Sequence, residues 1–212
     1  MIQRVYEGAK KAKLLERLIV ATDDERISEA CKKIPAEVWM TSVHHSSGTE
    51  RVAEIATKID SPLIINIQGD EPLIEGKMID ELVMALQEES IPVATLATKV
   101  HDTSQIEDKN RVKVIIDKNG FALYFSRAPI PYQASDYFLQ HLGIYGFQKN
   151  FLLQIIHLPP SRLEKTENLE QLRILENGYK IKVIETPHPT LSVDSPEDII
   201  KVEEYLKKKE NG

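Results

Sequence analysis

PLIINIQGDEP, residues 62–72, carries the apolar run Leu63-Ile64-Ile65 straight into Asp70 and Glu71, with Gly69 and Pro72 shaping the turn around them. An uninterrupted apolar run reads as a strand covered on both faces, the kind that helices flank in α/β proteins. Two carboxylates at the mouth of such a strand are costly unless something positive meets them.

The pattern repeats to either side. LIVATDD (18–24) is a second strand running into an acidic loop, followed by a short helix at ERISEACKK (25–33). EVWMT (37–41) reads as a strand and GTERVAEIATKI (48–59) as a helix. EGKMIDELVMALQEE (75–89) has helical spacing at Met78, Ile79, Leu82, Val83 and Leu86, and PVATLATKV (92–100) is a strand. This alternation predicts an α/β fold with a mostly parallel, helix-covered sheet. The rhythm then changes. Residues 111–127 hold two strands around Asp117-Lys118-Asn119-Gly120, a hairpin signal, and HLGIYGF (141–147) is a further strand. Residues 161–178 read as one helix with Gly178 as its C-cap, 180–186 as a strand, and DSPEDIIKVEEYLKKK as the last helix. Ser195 is its expected N-cap, with Pro196 first in the helix and Asp198 as the acidic partner. The organisation predicted is one domain over 1–212 with a hairpin-containing sub-lobe at about 101–180. The chain opens on a helix, with Ile2, Val5, Tyr6 and Ala9 on one face, where a doubly wound sheet normally opens on a strand.

Composition excludes several function classes. The 212 residues are 42% hydrophobic and 28% charged, an ordinary globular profile, and a net charge of −6 disfavours nucleic acid as a partner. The single cysteine, Cys31, forms no internal disulfide and suits a reducing compartment. No apolar stretch approaches a membrane span and no signal-peptide core is present, so the expectation is a cytoplasmic protein without a membrane partner.

Candidate chemistry gathers at strand ends. Asp70 and Asp194 follow separate strands and can share magnesium with a nucleotide triphosphate; equally, Asp70 can simply turn its loop and Asp194 stabilise the helix that follows. HHSSGTER (44–51) is a small polar loop entering a helix, suited to close approach by a base or phosphate, or to plain capping by Ser47 or Thr49. His44 and His45 make a poor metal site, because adjacent histidines splay apart. Glu170 and Arg173 are three apart, so they form a surface pair or, with Gln171, read the hydroxyls and carboxylate of a sugar acid. No serine–histidine–acid or cysteine–histidine motif suggests nucleophilic catalysis.

In order, IVATDD, HHSSGTERVAE, IINIQGDEPLI, VKVIIDKNGFALYFSRAPIP, HLGIYGF, LEQLRILENG and VDSPEDIIKVE resemble the 3-deoxy-manno-octulosonate (Kdo) cytidylyltransferase family across nearly the whole chain. The related sialic-acid cytidylyltransferases, or a non-catalytic nucleotide-binding paralogue, are the alternatives. The resemblance implies a Rossmann-like nucleotidyltransferase fold with a smaller dimerisation lobe. It implies transfer of CMP from CTP to Kdo, with release of pyrophosphate, for lipopolysaccharide synthesis. By resemblance, Asp70 and Asp194 are catalytic and hold magnesium; Ser47, Gly48, Thr49, Arg51 and Gln68 lie at the nucleotide; and Arg127, His141, Tyr145, Glu170 and Gln171 face Kdo. Family members also open with a strand and a loop of pattern A-R-x-x-S-x-R-x-P-G-K. Here Met1-Ile2-Gln3-Arg4 match the helix after that loop, so the chain is expected to lack triphosphate-binding cations and to be poorly active.

Overall fold

The computed structural model describes residues 1–134, 136–188, 191–193 and 195–210, with side chains described through 207. The helix α1 (Ile2–Ala9) buries Val5, Tyr6 and Ala9, the face its spacing predicts. Next come β1 (Ile19–Thr22), α2 (Glu25–Cys31), β2 (Glu37–Met40), α3 (Gly48–Ala56), β3 (Leu63–Asn66), α4 (Gly76–Leu86) and β4 (Val93–Val100). The second half contributes β5 (Lys113–Ile116), β6 (Ala122–Ser126), β7 (Phe138–Gln148), α5 (Lys149–Ile155), α6 (Arg162–Glu167), α7 (Leu172–Glu176), β8 (Lys182–Glu185) and α8 (Pro196–Glu210).

The expected α/β architecture is present, organised around β7. Its far end pairs antiparallel with β3, matching Asn66 to Tyr145, and its length pairs antiparallel with β4, matching Thr95 to Tyr145. The order is β6-β5-β7-β4-β8, with β4 and β8 parallel and β5–β6 forming the expected hairpin. The sheet is therefore mixed where it carries β7. Met78, Ile79, Leu82 and Leu86 of α4 are fully buried on one face, against Leu96, Leu142 and Ile144. Gly146 permits that approach, since a Cβ there would lie 2.6 Å from Leu86 Cδ1. Phe125, Phe147, Leu152 and Leu172 fill the opposite face.

Strands β1 and β2 form a separate parallel pair, and among the described residues no ladder joins β1 to β3. A groove of about 640 Å³ lies between them, lined by Leu18, Ile19, Ile64, Ile65, Val52 and Val83.

Two differences from the sequence reading matter for the site. Residues 161–178 are two short helices, because Asn168 adopts the left-handed conformation (φ 53°) and ends α6. Asparagine tolerates that conformation better than most residues. The break places Glu170 and Gln171 on the connector into α7. Helix α5, which follows β7 directly, has no counterpart in the sequence reading, where a polar Lys149-Asn150 interrupts the apolar run.

Candidate functional site

The loop 42–47 is pinned to the first turns of α3. Ser47 caps the helix by accepting from Glu50 N–H, Glu50 accepts from Ser46 N–H at 2.7 Å, and Glu54 accepts from Ser42 N–H at 2.9 Å. The Lys58 ammonium, with the Ser42 N–H and the His45 ring, holds the Glu54 carboxyl down to about 2. His45 Nε2 lies 2.7 Å from Glu54, so this histidine fastens the loop. Arg51 points the other way: it donates to Asp23 Oδ2 at 3.0 Å and to Thr41 Oγ1, tying α3 to the end of β1.

Across from this loop stands the α6–α7 connector. Ser47 Oγ donates to Glu170 Oε1 at 2.9 Å and Thr49 Oγ1 donates to Glu170 Oε2 at 2.8 Å. One carboxylate thus spans two hydroxyls, one at the N-cap of α3 and one inside its first turn. Arg173 pairs instead with Glu164, donating from Nε at 2.8 Å, and with Leu158 carbonyl. The alternative of a Glu170–Arg173 surface pair is therefore not what the structure contains, because the left-handed turn at Asn168 carries Glu170 toward α3.

Beneath Glu170 a cavity of about 50 Å³ is lined by Thr49, Tyr145, Phe147, Glu170, Gln171 and Arg173. The Nε2 of Gln171 is buried without a hydrogen-bond partner. Tyr145 Oη lies near Thr95 but makes no hydrogen bond of ordinary geometry. Burial and the nearby Glu170 charge push the Tyr145 phenol well above its ordinary value, so it stays a neutral donor. Tyr145 stacks on Phe147 and tilts against His141. His141 is buried, 3.0 Å from Thr95 Oγ1, and desolvation drives its pKa from 6.5 to about 3. A neutral imidazole there orders the row; it carries no charge toward a ligand.

Gln68 and Gly48 meet at the rim: a Cβ on Gly48 would sit 3.0 Å from Gln68 Oε1, tight enough to displace that side chain. Gln68 Nε2 donates to Asn66 Oδ1 at 3.3 Å. Asp70, half-buried, follows on the same turn, and its carbonyl accepts from Val193 N–H at 2.9 Å. That bond brings the residue before Asp194 beside Asp70. Asp194 itself lies outside the described residues. Arg127 is apart from this cluster; its guanidinium donates to the carbonyls of Lys109 and Glu167 at 3.0 Å each.

The structure thus brings Ser47, Gly48, Thr49, Gln68, Tyr145, Glu170 and Gln171 into one neighbourhood, with Asp70 on the adjoining turn. Arg51 and Arg127 make their hydrogen bonds to the surrounding frame, and His141 adjoins Tyr145 and Thr95. Asn66 and Thr95, both almost fully buried, belong to the same polar row, and the sequence reading did not single them out. The available signal was a polar residue interrupting the otherwise apolar runs 62–67 and 92–97.

Residues 1–181 match the family model for cytidylyltransferases. A 3-deoxy-manno-octulosonate cytidylyltransferase of Syntrophotalea carbinolica is 47% identical over 98% of this chain and 88% of its own length. One from Fusobacterium nucleatum is 45% identical over 98% of this chain and 86% of its own. Among solved structures, that of CMP:2-keto-3-deoxy-manno-octonic acid synthetase complexed with CTP superposes with a TM-score of 0.91 at 35% identity, covering 98% of this chain and 88% of that one. A 4-diphosphocytidyl-2C-methyl-D-erythritol synthase from Anaerococcus prevotii, at 17% identity and a TM-score of 0.64 over 97% of this chain and 89% of its own, shares the fold. With a cap loop, an acidic turn and a polar strand row arranged on that fold, and with identity extending along almost the entire sequence, the chain belongs to the cytidylyltransferase family.

Proposed function

We propose that this protein transfers CMP from CTP to Kdo with release of pyrophosphate, as a cytoplasmic homodimer in lipopolysaccharide synthesis whose subunits meet through the lobe at about 101–180. The observation that carries this reading is the bridge from Ser47 and Thr49 to Glu170, above the buried donors Tyr145 and Gln171. It joins a helix N-terminus suited to a nucleotide with a polar pocket suited to a sugar acid.

No covalent intermediate is needed. The anomeric hydroxyl of the sugar attacks the α-phosphorus, its proton passes to solvent, and pyrophosphate departs. The chain's contribution is orientation. The backbone at Gly48 admits the nucleotide because no Cβ crowds Gln68. Tyr145, neutral throughout the physiological range, and Gln171 donate to oxygens of the sugar acid. The cavity of about 50 Å³ holds only a few waters, so the α3 loop and the α6–α7 connector must part to admit the sugar and then re-form around it. Asp70 and Asp194, the latter next in sequence to Val193, are the pair suited to magnesium, an ion that favours a few hard carboxylate oxygens together with substrate phosphates. Bound there, magnesium would neutralise triphosphate charge and activate the sugar oxygen.

The test is product analysis. The protein, CTP, magnesium and either Kdo or sialic acid are incubated, and pyrophosphate and the CMP-sugar are quantified. CMP-Kdo formation is expected. Product with sialic acid alone would move the assignment to that branch.

A further inference from the structure

Asn66 is the last residue of β3 and is 2% exposed. It faces Tyr145 across the β3–β7 ladder, and Tyr145 faces Thr95 across the β7–β4 ladder, so the three side chains stand in one row on one face of the sheet. The row's members are occupied unequally. Thr95 Oγ1 bonds to the Ile144 carbonyl at 2.7 Å and sits by His141. Asn66 has its acceptor taken by Gln68 Nε2, while its own Nδ2 has no partner. Tyr145 Oη and Gln171 Nε2 are in the same condition.

Buried donors are nearly always paired in folded proteins, because leaving one unmet is expensive. Two amide nitrogens and one hydroxyl in a single neighbourhood, each able to donate, describe a surface complementary to a ligand rich in acceptor oxygens. Gln68 also fixes which way Asn66 faces: with Oδ1 engaged toward the acidic turn, the amide nitrogen is directed away from it. Aspartate at this position would keep the shape and reverse the chemistry.

We propose that Asn66 is a specificity-determining residue for the acceptor, donating from Nδ2 to a hydroxyl or carboxylate oxygen of the sugar acid beside Tyr145 and Gln171. This rests on the sugar-acid reading given above. It assigns to the strand bearing the acidic turn a second task, holding the acceptor as well as the metal-binding carboxylate.

The experiment is titration calorimetry of the whole protein with Kdo in the presence of CTP, and separately with CTP alone, for wild type, Asn66→Asp and Asn66→Ala, alongside melting curves. Kdo affinity is expected to fall at least tenfold in both variants, with CTP affinity within threefold and, for Asn66→Ala, melting nearly unchanged. In a cycle with Tyr145→Phe, the two losses should be non-additive. If wild type itself binds no Kdo, the sugar-acid reading fails and the proposal with it. If wild type binds Kdo and the variants bind it equally well, only the role of Asn66 fails. Equal losses for CTP and Kdo would make Asn66 part of the general frame and overturn the assignment. Should Asn66→Asp misfold, Asn66→Ala decides, since it introduces no buried charge.

Discussion

Glu170 holds Thr49 across 121 positions of sequence, accepting from Thr49 Oγ1 at 2.8 Å with one carboxylate oxygen while the other accepts from Ser47 Oγ. The residue expected at the sugar is therefore also the clasp of the nucleotide loop. Replacing Glu170 by alanine should weaken both substrates rather than one. Each hydrogen bond to a charged acceptor contributes about 1.5–3 kcal/mol, so the loss of even one should lower the melting temperature by roughly 3–12 °C for a chain of this size. A cycle with Thr49→Val should show coupling, and a Glu170→Ala enzyme that melts like wild type and retains CTP affinity would refute the clasp.

The acidic turn gives a contrasting expectation. Asp70→Asn should leave melting nearly unaltered and reduce magnesium-dependent turnover by about 100- to 1,000-fold, the range for loss of one group that stabilises charge in a transition state. Turnover and melting measured on the same preparation separate the two effects. Undiminished turnover would remove Asp70 from the metal site.

His141 makes stability depend on pH in a defined window. Its folded-state pKa is about 3 against an ordinary 6.5, so the unfolded chain binds the extra proton first. Stability from this group is complete above 6.5 and is lost as pH falls toward 3, by at most about 1.4 kcal/mol per pH unit. Asp24, Glu54 and Asp198, each held near 2 by a hydrogen-bonded cation, contribute losses only at lower pH. Between pH 6.5 and 5, wild-type melting should therefore fall more steeply than that of His141→Gln. Equal slopes would mean that the imidazole is not buried neutral.

Arg173 and Glu164 form a pair with side chains only 14% and 13% exposed. Leaving one member of a buried pair alone costs about 3–5 kcal/mol. Arg173→Leu should thus destabilise strongly, while Arg173→Leu with Glu164→Leu should recover much of the loss. Chemical denaturation of the four proteins in the cycle measures this directly.

Strand β1 has only β2 as a ladder partner among the described residues, whereas β4 lies between β7 and β8. Edge strands bordering an open groove open at lower free energy than strands paired on both sides. Amide hydrogen exchange should be markedly faster at Ile19–Thr22 than at Val93–Val100. Comparable protection would show that the groove is closed in solution.

Sequence alone settled the elements whose signal is local. The spacing of Met78, Ile79, Leu82 and Leu86 marked α4, and those four side chains are fully buried. The Asp117–Gly120 turn marked the β5–β6 hairpin, where Gly120 has φ +76°. Ordered motifs placed the chain among the cytidylyltransferases. Tertiary structure alone decided what depends on distant neighbours. It made β7 antiparallel to β3 and β4, a pairing that no local pattern encodes because strand direction is a property of the ladder. It broke the helix over 161–178 at Asn168, where one left-handed residue redirects Glu170 toward Ser47 and Thr49. It also joined Arg51 to Asp23, Arg127 to the Lys109 and Glu167 carbonyls and His141 to Thr95, while aligning Asn66 with Tyr145. Which polar side-chain atoms already have protein partners depends on residues far away in sequence, as the 121 positions between Thr49 and Glu170 show.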